Sequence, residues 1–153
     1  MAYPVASLDD DVTAIVAATW PEVVANGIFR LDDAARVSWE EKTFPFAVWE
    51  RSEWEPTELG LTNTSWELLF EVHYLAEVPA LVASGLATVE AKLMALRDAM
   101  FAGAFTASSA TLWDVARFNT DGDYEANAIF LSKNVPFVGG MISFRFSVGE
   151  TAV

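Results

Sequence analysis

Apolar and polar residues recur along this chain in two different rhythms, and the switches between them mark its elements. Leu8, Val12, Ile15, Val16 and Val23 return at helical spacing, which predicts an amphipathic helix near the start. Ser7 suits the cap of that helix. Asp9, Asp10 and Asp11 then fall in its first turn, facing the positive end of the helix dipole. Trp20-Pro21 should kink or end it, because proline disfavours helical geometry at the residue before it. Asn26-Gly27 is a stop signal. No element is assigned to residues 28–42.

A period of two follows. Thr43 to Trp54 reads as a strand with Phe44, Phe46 and Val48 on one side, and Pro45 points to an edge position or a strand start. Glu55 to Asn63, with Pro56 and Gly60, reads as a loop. Trp66 to Glu77 is the clearest strand. Trp66, Leu68, Phe70, Val72, Tyr74 and Ala76 share one face, while Glu67, Glu71, His73 and Glu77 lie on the other among Leu69 and Leu75. One buried face and one mostly wet face are expected, with the two strands paired as a long antiparallel hairpin.

The helical rhythm then returns from Pro79 to Phe101, where Val82, Leu86, Val89, Leu93, Leu96 and Met100 form a sustained seam. Pro79 suits the first turn and Gly103 the end, although Gly85 leaves Ser84 as an alternative start. With strands on both sides, this seam packs on a sheet more readily than in a coiled coil. Thr111 to Phe118 reads as a strand of poor pattern, and Asn119 to Asp123 as an acidic turn. Tyr124 to Asn134 is a short helix or an irregular segment. Ile142, Phe144, Phe146 and Val148 alternate with Met141, Ser143, Arg145 and Ser147 in a last strand. Asn134-Val135-Pro136 and Gly139-Gly140 before it predict a turn and a bulge. The sum is one α+β domain over residues 1–153. Its expected core is an antiparallel sheet of about four to five strands, packed by an N-terminal helix and one long central helix.

Composition narrows the chemistry. The chain has no cysteine, so disulfides and thiolate metal sites are excluded. Its first residues, Met1-Ala2-Tyr3-Pro4-Val5, show no basic stretch leading into an apolar one, so no secretory signal is expected. No apolar run approaches the ~18 residues of a membrane span, so no membrane partner is expected. Hydrophobic residues make up 53% of the chain, enough to fill a core and to leave apolar surface for a partner. Nine basic residues against twenty-two acidic ones give a net charge of −13. Such a surface repels phosphate and argues against tight nucleic-acid binding, though it equally serves plain solubility.

Candidate catalytic chemistry is sparse. His73 is the only histidine, so any Ser-His-Asp arrangement must use it, yet no nucleophile motif accompanies it. Asp121, Asp123, Glu125 and Asn127 alternate like the start of a calcium loop. The places that need glycine and glutamate hold Ala126 and Ser132 instead, so this is an acidic turn. Gly139-Gly140 leads into a strand and forms no phosphate cradle. No catalytic residue, metal or cofactor is expected. Of the tryptophans clustered at Trp39, Trp49, Trp54 and Trp66, Trp66 belongs to an apolar strand face. Trp49 and Trp54 are candidates for an exposed or inter-subunit role, or for stacking on sugars.

Taken in order, these elements resemble the tail terminator and neck proteins of long-tailed bacteriophages. The likeness rests on the N-terminal helix Ser7–Trp20 and on the strand Trp66–Glu77 running straight into a helix through Phe101. It rests also on the ending Asn134-Val135-Pro136-Phe137-Val138-Gly139-Gly140, followed by an alternating strand closing at Gly149-Glu150. The stretch from Trp39 to Asn63 is longer than the family pattern. The resemblance implies a structural virion protein assembled in the host cytoplasm. It implies a ring of commonly six copies at the head-proximal end of the tail tube. Tube protein and head–tail connector are the implied partners, with DNA passing through the lumen without specific binding. Trp49, Trp54, Pro136 and Phe137 are the expected subunit contacts. Two other readings stay open: a small ligand-binding or enzyme domain with a pocket near His73 and Tyr74, and a sugar-binding module using Trp49 and Trp54.

Overall fold

A computed structural model describes residues 4–30, 43–52, 55–59, 63–77, 82–103, 105, 111–119 and 137–151. Helix α1 spans Pro4–Thr19 and a short α2 spans Pro21–Val24. Trp20 between them leaves helical geometry (φ −119°, ψ 68°), as the following proline demands. Helix α1 begins earlier than expected. Ser7 therefore lies within it instead of capping it, and no acid falls in the first turn. Leu8, Val12, Val16, Trp20 and Val23 are fully buried, a single stripe at steps of four, four, four and three.

Among the described residues, six strands form one sheet: β1 (Ile28–Arg30), β2 (Phe46–Arg51), β3 (Glu55–Leu59), β4 (Asn63–Glu77), β5 (Thr111–Asn119) and β6 (Phe137–Thr151). Their order is β1-β2-β4-β6-β5, with β3 also pairing with β4. Helix α3, Val82–Ala102, follows β4. The expected α+β class is therefore correct, with two differences in the sheet. Residues 28–30 add a strand parallel to β2, so the sheet is mixed. The segment read as a loop after Trp54 instead contains β3, which runs antiparallel to β4. Pro56 and the composition hid it, but its partner supplies the pairing. The register of β2 against β4 (Phe46↔Leu75 to Arg51↔Phe70) continues as β3 against the earlier half of β4. The junction is closed by Ser52. Its N–H donates to the Leu69 carbonyl (2.9 Å), and its Oγ accepts from the Leu69 N–H (3.1 Å).

The long pair β4·β6 runs in unbroken register from Asn63↔Thr151 to Glu77↔Phe137. Gly139 and Gly140 are thus strand residues opposite Leu75 and Tyr74, not a turn or bulge. The register shifts lie instead in β5, between Leu112 and Asp114 and between Val115 and Arg117, and in β3, between Pro56 and Glu58.

The core sits between the helices and one sheet face. Ala47, Trp49, Leu68, Phe70, Val72, Tyr74, Ile142, Phe144, Phe146 and Val148 meet the stripes of α1 and α2 and Val89, Leu93, Leu96 and Met100 of α3. Each fully buried aliphatic or aromatic side chain contributes about 1.5–3 kcal/mol. The opposite face is not simply wet. Phe46, Val48, His73, Leu75, Met141 and Ser143 are buried there, and the rings of Phe29 and Phe44 pack on Phe46 at 6.0 and 5.2 Å. Glu67 and Arg145 on the same side are exposed. This face is therefore dry toward the Leu75 end of β4 and solvated toward Glu67.

Candidate functional site

Three groups of polar side chains are held in place by the fold. The first is at Asp9. Its position on α1, one residue past Leu8 of the buried stripe, aims it at the end of β2. There the Arg51 guanidinium donates to Asp9 Oδ2. Arg30, at the end of β1, adds a second positive charge nearby and lies 5.7 Å over the Trp49 ring. Burial outweighs these attractions and pushes the Asp9 carboxyl above its usual range. Asp9 Oδ1 is buried without a hydrogen-bond partner among the described residues. A carboxylate clamped by a permanently charged guanidinium is a poor proton carrier and a good pin between α1 and the sheet.

The second group ties α2, α3 and β4. Glu22 Oε1 accepts from Lys92 Nζ at 2.7 Å and from the Tyr74 hydroxyl at 3.2 Å. Partial burial alone would raise the Glu22 carboxyl, but these donors hold it below its usual range. Burial, together with the Glu22 charge, pushes the Tyr74 hydroxyl well above its ordinary value. Trp20 completes the knot. Its Nε1 donates to the Lys92 carbonyl at 2.9 Å, and its ring meets Tyr74 edge-on at 5.0 Å. Every polar end of these amphipathic side chains has a partner, as burial requires.

The third group is on the opposite face, where His73 and Ser143 are 5% and 1% exposed. Register sets Glu71 directly across from Ser143 and His73 across from Met141. Burial depresses the imidazole to about 4, so it is neutral at pH 7. Ser143 Oγ has no hydrogen-bond partner among the described residues, so it forms no Ser–His relay with His73. His73 and Tyr74, being consecutive in a strand, face opposite sides of the sheet and cannot line one pocket. Among the described residues, an open cleft of about 290 Å³ is lined by Ser52, Glu67, Leu68, Leu69 and Arg145. Among the described residues, no group of three His, Asp or Glu is placed to hold a metal ion.

The expected contact residues fare unequally. Trp49 is a correction. It is 8% exposed, stacked on Phe70 at 5.9 Å and part of the core, so it offers no free ring to a sugar or a neighbouring subunit. Its place on β2 opposite Val72 puts it on the helix-covered face. Phe137 opens β6 opposite Glu77. Trp54 and Pro136 lie outside the described residues, as does the acidic turn from Asp121. Sequence reasoning missed the Asp9–Arg51 pin and the Glu22–Lys92–Tyr74 knot, whose partners are far apart in the chain. It also missed the exposed apolar residues Val24, Met94 and Phe101, although the spacing of the last two was visible. No protein-family model matches the chain, and no curated protein matches it.

Proposed function

We propose that the chain is a structural virion protein resembling a phage tail terminator. In this reading it forms a ring at the head-proximal end of the tail tube and joins it to the head connector. The observation that carries the reading is the sheet with its helices. Two fifteen-residue strands, β4 and β6, lie side by side, helices cover one face, and β4 is followed in the chain by the long helix α3. This is the element order on which the resemblance rests. At one end of the sheet, β5 pairs only with β6 among the described residues. A strand edge left unpaired among the described residues suits a head-to-tail contact between copies, the kind that closes into a ring. The Asp9–Arg51 and Glu22–Lys92–Tyr74 groups add support, because each fastens one element to another, and the cleft is open.

A ring needs no pocket and no reactive group. An acidic inner wall lets a polyanion pass without adhering, and a net charge of −13 is in keeping with that role. Another neck or tail-completion protein has the same requirements, and its partners separate it from a terminator. The test is mass by light scattering over a wide concentration range. Six chains of 16.7 kDa give a species of about 100 kDa. A second assay adds the protein to growing tail tubes, where a terminator stops elongation. A strict monomer that leaves tube growth unchanged would remove the proposal.

A further inference from the structure

No further inference is drawn: the strongest candidate, the open cleft beside the β2–β3 junction on the solvated half of the second sheet face, is lined by both Glu67 and Arg145, paired in register with Glu55 and Asp114, so its charges single out no one class of ligand and nothing in the structure shows what would occupy it.

Discussion

A tryptophan in a strand is ambiguous until its neighbours are known, and Trp49 shows the ambiguity at the scale of a residue. Its ring stacks on Phe70 inside the core. Trp49→Ala should therefore cost about 3–5 kcal/mol in urea unfolding. A variant of unchanged stability that failed only in assembly would return Trp49 to the interface. His73 offers a second residue-scale prediction. Its imidazole is depressed to about 4 in the folded chain, against about 6.5 when unfolded. Above pH 6.5 both states are neutral and stability is undiminished. As pH falls from 6.5 toward 4 the unfolded chain takes up a proton that the folded chain refuses, and stability falls by up to about 3 kcal/mol. Carboxylates titrate in the same window, so the measurement is a comparison. Between pH 7 and pH 4.5, His73→Gln should lose about 2 kcal/mol less than the wild type. Equal losses would mean that the imidazole is solvated.

Elements are held at their ends as much as by their faces. Gly27 links α2 to β1 at φ +125°, where a Cβ would lie 2.3 Å from the Phe29 ring. Only glycine takes this backbone conformation without strain. Gly27→Ala should cost about 1–3 kcal/mol, and thermal unfolding would register it. A variant as stable as the wild type would show that this turn adapts. The missed strands belong to this scale too. β1 has three residues and no period of its own, and it exists because β2 offers it a parallel edge. β3 contains Pro56, whose missing N–H is tolerated because a register shift falls between Pro56 and Glu58. In contrast α3, β4 and β6 were readable from their rhythm alone, since each repeats its pattern long enough to outweigh local exceptions.

For the whole molecule the dominant quantity is charge. With a net −13, copies repel one another at low ionic strength. Self-association by any route should therefore strengthen as salt rises from about 10 mM to 150 mM, over which the screening length falls from ~30 to ~8 Å. Light scattering at fixed concentration would follow it, and a mass that fell with added salt would point to contacts held by opposite charges instead.

Burial periods determine how much of this could be known beforehand. The α+β class, the break at Trp20-Pro21, the buried seam of α3 and the core face of β4 and β6 follow from the chain's own pattern, because side-chain direction repeats every two or every 3.6 residues. That pattern says which residues of an element share a face. It does not say whether a second face is also covered, and His73, on the face of β4 expected to be mostly wet, is buried beside β6. Nor does it say which polar side chains meet. Asp9 with Arg51, and Glu22 with Lys92 and Tyr74, are joined across long stretches of chain by strand order and helix placement. Those distances exist only once the sheet has formed, and so the tertiary structure alone decided them.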